Sequence, residues 1–480
     1  ITSTQGWIPL KISDEPVSSL IDWSPYLDAP AGKHGAVTVK GSSLVFADGT
    51  PARFWGTRLS SDVLDLSAGE QVRLVNRLAS NGFNWVEMDL GDSDSPTGAT
   101  TETSSEAVPV SGLESLLKQK GIYLCLIGSS APSQLDSANA GDPALVSSEL
   151  FNRIGAVFNP VASQASVPIA FENVPQLMKP SESLPSQLTL DRSFAKPVLA
   201  EWSEGWPQSY LAEAPFLLST FAGFQDWAAC VGEEADGSAR GTAMVPGMAW
   251  DSNPMLYTQW PAAALAYLRG DLRQGKIYVL PASVDADESA PLTVLAHQSG
   301  RSGSKTDTLG AGEAKFAPAL KSFVSDSGQI NWKGNIGLLQ VDAPRFQAVM
   351  GFLSHHELKG SAWELESSNW FAALSVISLT TSSIVRSNHL LLTGTTRMEN
   401  SGMVYNASQT KVVSLGDGPI LREPVRALIT LYRARKDSKL KIRALDVNRQ
   451  PLRTPVPFHW SGCNLVLSWI PEAVYIEIYQ

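Results

Sequence analysis

Two segments of the chain repeat one order of elements, a helical pattern, a glycine and then an apolar strand. In "SAGEQVRLVNRLASNGFNWVEMDL" (67–90), Ser67 and Glu70 form a capping box, an apolar stripe at helical spacing follows, and Gly82 ends the helix. The second segment is "SGLESLLKQKGIYLCLIG" (111–128), where another capped helix stops at a glycine before a continuous apolar strand. Apolar strands that alternate with helices are typical of a parallel sheet covered on both faces. The first half of the chain is therefore predicted to be α/β.

The sequence pattern changes near residue 276, from alternating helices and strands to short strands. Short β-type runs such as "KIYVLPASV", "FAALSVISL" and "VRALITLY" follow one another, separated by Gly, Ser, Asp and Pro clusters. That pattern is typical of an all-β sandwich. A chain of 480 residues is too long for one ordinary core, so two or three domains are expected.

The charge balance argues against a nucleic-acid partner. The net charge is −10, and only 18% of the residues are charged against 43% that are hydrophobic. Binding to phosphates needs clustered Lys and Arg, which this chain lacks. Its most basic stretch, "RARKDSKLKIR" (433–443), alternates charged and apolar residues and indicates a solvated strand edge.

Neither a membrane span nor a metal site is predicted. No apolar run approaches the ~20 residues that cross a bilayer. Cys125, Cys230 and Cys463 lie far apart, and the pair His355-His356 has no further ligands at suitable spacing. The sequence therefore predicts no disulfide framework, no metal and no cofactor.

The chain begins "ITSTQGW" without Met, which favours a processed protein that is secreted, attached to the cell surface or periplasmic. A trimmed chain is the alternative.

Two long segments carry a family resemblance. "DAPAGKHGAVTVKGSSLVFADGTPARFWGTRL" (28–59) and "KPVLAEWSEGWPQSYLAEAPFLLSTFAGFQDW" (196–227) resemble clan A glycoside hydrolases, which include cellulase-like and mannanase-like enzymes. The resemblance implies a (β/α)8 barrel followed by β-domains. It divides the chain into an N-terminal segment with a β-hairpin (1–52), a barrel (53–275) and a β-rich region (276–480).

The resemblance also implies a retaining mechanism, in which a glutamate ending the seventh strand attacks the anomeric carbon and a second glutamate protonates the leaving oxygen. Glu201 in "AEW" matches the nucleophile position. Trp202 and Trp206 would offer aromatic faces to a pyranose ring. The alternative is that Glu201 is a structural carboxylate and both tryptophans belong to the core.

The second acid matches the family poorly. In the family an Asn-Glu pair closes the fourth strand, whereas "PIAFENVPQL" (168–177) has the order Glu172-Asn173. Because strand residues alternate between faces, the reversed order would turn the Glu172 carboxyl group to the opposite face. Glu172 is therefore a weak candidate for the acid/base.

Spacing predicts that the barrel is incomplete. Glu172 and Glu201 are 29 positions apart, but strands four and seven should be separated by three βα units of roughly 30 residues each. The segment before Glu201, "SESLPSQLTLDRSFAKPVLAEW", is expected to supply one helix and one strand. From Arg53 to Cys230 the chain has 178 residues, and complete barrels seldom fall below about 200.

Strand two departs from the family as well. The family has a basic residue and a histidine there, where this chain has Glu87 and Asp89 in "NWVEMDL". Two acids would remove donors for sugar hydroxyls and raise the pKa of Glu201, which disfavours a nucleophile.

Three functions remain open. The first is an exported glycoside-hydrolase-like protein that has lost catalysis and serves as a carbohydrate-binding or scaffold module, with polysaccharide or protein subunits as partners. The second is an active retaining β-glycosidase that uses Glu201 and recruits its acid/base from elsewhere. The candidate acids are Glu204, Glu213, Glu233 and Glu87. The third is a purely structural subunit, with other chains covering the open edge of the barrel.

Overall fold

The computed structural model describes the chain in segments, and all structural statements concern these. They are residues 4–13, 21–40, 43–89, 111–127, 145–147, 166–169, 188–191, 200–201, 206, 210–235, 243–244, 250–279, 298–300, 315–317, 322–406 and 412–480. Helices and strands are numbered here in chain order. The α-helices are α1 (Ala68–Ser80), α2 (Ser111–Gln119), α3 (Ala214–Gln225), α4 (Pro254–Tyr257) and α5 (Trp260–Leu268).

Helix α1 begins at the predicted capping box. The Ser67 hydroxyl accepts a hydrogen bond from the Glu70 amide, and the Glu70 carboxylate accepts one from the Ser67 amide at 2.9 Å. The helix stops before Gly82, whose φ of +86° favours glycine. A Cβ at Gly82 would lie 2.8 Å from the Cβ of Ala264, so the close packing on α5 also requires glycine.

The central sheet is parallel, as predicted. Its strands in spatial order are β10 (Ala200–Glu201), β11 (Ala229–Ala235), β4 (Phe54–Leu59), β5 (Trp85–Asp89), β6 (Tyr123–Ile127) and β7 (Leu145–Ser147). Every neighbouring pair runs in the same direction.

This strand order is a cyclic permutation of the chain order, since the last two strands lie beside the first. A singly wound (β/α) barrel arranges its strands in this way. Among the described residues, β10 and β7 form the two ends of the sheet and do not pair with each other. Whether the wall is closed or incomplete therefore stays a prediction.

One expectation about the segment before Glu201 is wrong. Strand β8 (Ser166–Ile169) pairs antiparallel with β9 (Leu188–Asp191). Residues 188–191 are therefore a strand, where a helix followed by a strand was expected over 181–202.

The C-terminal region contains two packed sheets, as predicted. The larger has nine strands, in the spatial order β14 (Lys315–Ala317), β15 (Ser322–Val324), β16 (Ile330–Lys333), β17 (Leu338–Asp342), β18 (Phe346–Phe352), β21 (Phe371–Ser378), β22 (Leu390–Thr396), β31 (Tyr475–Tyr479) and β28 (Lys441–Leu445). The smaller has five, β19 (Leu358–Lys359), β20 (Trp363–Ser367), β27 (Ala427–Leu431), β30 (Asn464–Ser468) and β29 (Phe458–Ser461). Their facing side chains form one buried cluster.

Alternation along the strands buries both faces of the nine-stranded sheet. In β18, Val349 packs toward the five-stranded sheet, whereas Phe346 and Met350 belong to the cluster that contains the helices. Such two-sided burial requires continuous apolar runs, and "FAALSVIS" in β21 is one.

Helices α3 and α5 lie between the parallel sheet and the nine-stranded sheet. Every residue of α3 is buried, and so are eight of the nine residues of α5. On one side Trp260 of α5 meets Trp55 of β4 with ring centroids 5.3 Å apart, and on the other Phe216 of α3 meets Phe346 of β18 at 5.7 Å. A helix that is buried on every side needs apolar residues around its whole circumference, and both helices are predominantly apolar.

The N-terminal segment joins the β-rich region. Strand β1 (Ile8–Leu10) pairs with β26 (Ile420–Arg422), which also pairs with β23 (Met398–Asn400). The remaining two-stranded pairs are β2 (Val37–Lys40) with β3 (Ser43–Phe46), β12 (Ile277–Val279) with β13 (Gln298–Gly300), and β24 (Val404–Tyr405) with β25 (Val412–Ser414). The domain limits at 52 and 275 stay predictions. Within the described segments, no helix has the length and apolar character needed to cross a bilayer.

Candidate functional site

The register of the parallel sheet relates the candidate residues to one another. Glu201 is the last residue of β10 and pairs with Val231 of β11. Continuing across the sheet, Val231 pairs with Gly56, which pairs with Trp85. Glu201 therefore occupies the same register row as Trp85, the first residue of β5, so this row crosses β5 at its amino end. The carboxyl group of Glu201 lies outside the described residues, so the predicted rise of its pKa stays a prediction.

A buried carboxylate lies two rows further toward the carboxyl end of β5. Glu87 of β5 is 2% exposed and pairs with Arg58 of β4, the Arg58 Nε lying 3.4 Å from Glu87 Oε2. The Trp85 indole N–H donates to Glu87 Oε1 at 3.3 Å. Arg58 keeps 43% of its side chain exposed. The acid predicted to face a sugar is thus engaged by neighbours on its own sheet.

Aromatic packing fills the row that contains Glu201. Trp85 is fully buried, and a Cβ at Gly56 would lie 2.5 Å from its indole Cδ1. Gly56 is therefore the residue that leaves room for the indole. Trp85 contacts the Phe54 ring at a centroid distance of 4.7 Å. This face of the sheet is packed with protein side chains at the level of Glu201.

The thiol beside this pair is no nucleophile. Cys125 of β6 pairs with Glu87 and is 1% exposed. Burial raises the pKa of the Cys125 thiol far above its usual range, and the charge of Glu87 raises it further. The thiol therefore stays protonated, as predicted for a small buried hydrophobic residue.

The chain that follows Glu201 is anchored in the core. Trp206 is 2% exposed and Tyr210 is 1% exposed, both within the cluster that includes the nine-stranded sheet. The Tyr210 ring packs against Phe371 with centroids 4.8 Å apart. The burial of Trp206 is what the alternative, a tryptophan of the core, leads one to expect, and its stacking on a sugar stays a prediction.

Glu213 lies close to this anchored segment. It ends the short 3-10 helix Leu211–Glu213. Burial, together with the nearby charge of Glu213, raises the pKa of Tyr210 to about 12. The structure therefore places Glu213 beside Tyr210, near the border with the β-rich region.

Other candidates are only partly described. Glu172, Trp202 and Glu204 lie outside the described residues. The backbone of Asp89 ends β5, where it pairs with Ile127 of β6. Glu233 lies at a β-bulge of β11, between Gly232 and Glu234. No cluster of three or more His, Cys, Asp or Glu side chains in the described segments is arranged to hold a metal ion.

Arg58 is the functional-site residue that the sequence interpretation overlooked. Strand alternation in "FWGTRL" places Phe54, Gly56 and Arg58 on one face. A basic residue on the interior face of a first strand beside the acidic second strand was the available signal. Its role follows from the register, in which Arg58 pairs with Glu87.

No family model matches the chain, and neither does any curated protein. Among solved structures, an endo-1,4-β-mannanase from Rhizomucor miehei aligns over 49% of this chain and 100% of its own, with 11% identity and a TM-score of 0.26. A glycoside hydrolase family 5 protein from Bacteroides vulgatus aligns over 94% of this chain and 95% of its own, with 11% identity and a TM-score of 0.29. The exo-chitosanase CsxA of Amycolatopsis orientalis aligns over 92% of this chain and 62% of its own, with 12% identity and a TM-score of 0.24. Values in this range assign no family.

Proposed function

We propose that the chain is a glycoside-hydrolase-like protein that has lost hydrolysis and serves as a carbohydrate-binding or scaffold module outside the cytoplasm. The observation that carries the proposal is the Arg58–Glu87 pair above the buried Trp85. A retaining site needs two carboxyl groups about 5 Å apart around a space for the sugar. Here a carboxylate at the carboxyl ends of the strands is held by an arginine and an indole of the same sheet.

The cyclic strand order and the two resembling segments support the hydrolase-like part of the proposal. The loss of hydrolysis is supported by the spacing of Glu172 and Glu201 and by the burial of Trp206. Binding of a polysaccharide belongs to the same proposal. Its site would lie above the carboxyl ends, where the Arg58 guanidinium is exposed.

A turnover assay tests the loss of hydrolysis. Wild-type protein and the Glu201→Gln variant are incubated with a panel of β-linked oligosaccharides and aryl β-glycosides. We expect equal, background rates for both. Glu357, exposed in the β-rich region, supplies the matched control Glu357→Gln. Hydrolysis that disappears in Glu201→Gln but persists in Glu357→Gln would refute the proposal.

The position of Glu201 favours a second candidate, an active retaining β-glycosidase. Its backbone ends β10, a strand of the parallel sheet, as the family resemblance implies for a nucleophile. A 2-fluoro glycoside would then form a covalent adduct on the Glu201 carboxylate, detectable by peptide mass spectrometry. Lack of any adduct across the substrate panel counts against this candidate.

Protein subunits are the alternative partners, since the sheet ends at β10 and β7 within the described segments, and strand edges that stay unpaired must be covered by loops or by another chain. Light scattering coupled to size-exclusion chromatography distinguishes the cases. A mass above that of one 51.6 kDa chain supports the scaffold role, and a strict monomer favours carbohydrate binding.

A further inference from the structure

The amino ends of the parallel strands are covered by the β2–β3 hairpin. Val37, Leu44 and Phe46 of the hairpin pack against Trp85 and Tyr123 in a separate buried cluster. Trp85 shares the register row of Glu201 and its indole donates to Glu87, so this cluster lies directly beneath the candidate site. The hairpin therefore completes the core of the sheet from below.

A cavity of about 680 Å³ lies under the edge of this hairpin. The hairpin and its flanks contribute Phe46 and Pro51, the segment before it contributes Asp28, and the strand ends contribute Asn84 and Tyr123. Movement of the hairpin would change both the cavity and the cover of the buried cluster.

One histidine ties the hairpin to the segment before it. The His34 Nδ1 lies 2.5 Å from Asp48 Oδ2, in the turn that follows β3, and the His34 Nε2 contacts the Asp28 carboxylate. The imidazole also packs on Phe46, with ring centroids 5.6 Å apart. His34 thus joins two chain segments through both of its ring nitrogens.

This arrangement requires a protonated ring. An imidazolium donates from both nitrogens, whereas a neutral imidazole donates from one and turns a lone pair toward the other carboxylate. Asp48 keeps its charge because its carboxylate accepts from the Thr50 amide at 2.8 Å. The Asp48 carboxylate therefore faces His34 in the form that favours its positive charge.

We propose that protonated His34 is a latch that holds the β2–β3 hairpin over the amino ends of the parallel strands, and that loss of this proton loosens the hairpin and opens the cavity beneath it. The latch does not rest on the proposed function, because His34, Asp28 and Asp48 are not residues of the candidate site.

The charged and polar groups around His34 determine the pH range in which the latch is closed. Lys33 pairs with Asp28, and the Tyr123 hydroxyl accepts from the Gly32 amide nearby. The side-chain hydrogen bond to Asp48 is the largest of the effects that raise the pKa of His34 above 6.5. The backbone hydrogen bond from Thr50 is the largest of the effects that lower the pKa of Asp48 to about 2.

The sign of the effect follows from these two directions. Because the pKa of His34 is raised in the folded state, its contribution is complete below pH 6.5 and is lost as pH rises through the raised value. Because the pKa of Asp48 is lowered, its contribution is present above pH 3.8 and is lost as pH falls toward about 2. The latch is therefore closed while Asp48 is ionised and His34 is protonated, and it opens as the pH rises through the pKa of His34.

The labelling rates of two buried thiols measure the opening of the hairpin. Cys125 belongs to the cluster under the hairpin, whereas Cys230 belongs to the cluster on the helix side of the same sheet. Burial raises the pKa of both thiols, so the ratio of their labelling rates largely cancels the titration of the thiols themselves. The intact chain is labelled with a neutral maleimide at about pH 5.5 and about pH 8.5, on either side of the range where such a histidine titrates.

We expect the rate ratio of Cys125 to Cys230 to rise about threefold or more at the higher pH in the wild type. In His34→Gln the ratio should be high at both pH values, because the amide cannot carry the charge. The exposed His459 supplies the control His459→Gln, which should behave as the wild type. A ratio that does not change with pH in the wild type, or that still changes in His34→Gln, overturns the proposal.

Hydrogen exchange supplies a second measurement that needs no variant. After correction for intrinsic rates, peptides from 35–52 should lose protection above the His34 pKa while peptides from α3 stay protected. Equal protection of the hairpin at both pH values would also overturn the latch.

Discussion

Arg449 shows how one buried side chain connects the two halves of the molecule. It is 2% exposed, and its guanidinium donates to the Ile21 carbonyl at 3.3 Å, the Ser80 carbonyl at 2.9 Å and the Asn81 side chain. It also lies over the Tyr257 ring at 5.5 Å. The two acceptors from 80–81 are at the carboxyl end of α1, where a positive charge is favoured by the helix dipole.

We expect Arg449→Met to lower the free energy of unfolding by about 2–4 kcal/mol, because the buried Ile21 carbonyl and Asn81 side chain lose this donor and the Ser80 carbonyl keeps the Trp23 amide. Urea unfolding followed by circular dichroism measures the change. The exposed Arg453 provides the control Arg453→Met, for which a change within about 0.5 kcal/mol is expected. A similar loss in both variants would contradict the role of Arg449.

Glu399 lowers the stability of the folded chain by an amount that depends on pH. It is 7% exposed, and burial raises its pKa despite the nearby charge of Arg397 and a hydrogen bond from Tyr405. A carboxyl group whose pKa is raised by folding loses stability as pH rises from its unfolded value of 4.5 through the folded value. The Glu399→Gln variant should therefore gain stability over the wild type as pH increases toward 7. Thermal unfolding at a series of pH values tests this, and a difference that does not vary with pH would contradict it.

At the scale of elements, the helices between the sheets depend on packing on every side. Phe221 of α3 is 1% exposed, and we expect Phe221→Ala to cost about 3–5 kcal/mol through the cavity left in the core. Val72 of α1 is 40% exposed, so Val72→Ala should change stability by less than about 0.5 kcal/mol. Guanidinium unfolding compares the two. Comparable losses would mean that α3 has a side that relaxes freely.

Local signals were sufficient for several elements. The capping residues Ser67 and Glu70 predicted the start of α1, and the apolar run ending "IYLCLI" predicted β6. The strand of "RARKDSKLKIR" was also predicted as an edge, and β28 is the last strand of its sheet. These features depend on hydrogen bonds and periodicity within a few residues.

Tertiary contacts decided what remained unpredicted. Trp206 follows the nucleophile-like Glu201 closely in sequence, but its burial depends on packing with a distant sheet that also holds Phe371. The Arg58–Glu87 pair depends on the register between β4 and β5. Neither can be derived from the residue pattern, because each depends on which strands become neighbours.

For the whole molecule, one core cluster extends from the parallel sheet through the helices to the nine-stranded sheet. We expect the full chain to unfold in a single calorimetric transition. Residues 276–480 expressed alone would expose the apolar face that includes Phe346, Met350 and Ile377, and should aggregate. A soluble, folded fragment, or two separate transitions of the full chain, would show that the regions are independent.

The burial of α5 from both sides has a consequence for insertions and deletions. One added residue would turn the rest of a helix by about 100°. On an amphipathic surface helix, that rotation brings polar groups into the core. Along Trp260–Leu268 the residues are almost uniformly apolar, so a rotated helix would remain compatible in polarity and would fail only in shape. Sequence length in this helix is therefore constrained by steric fit against two surfaces at once, and a compensating change would have to alter both.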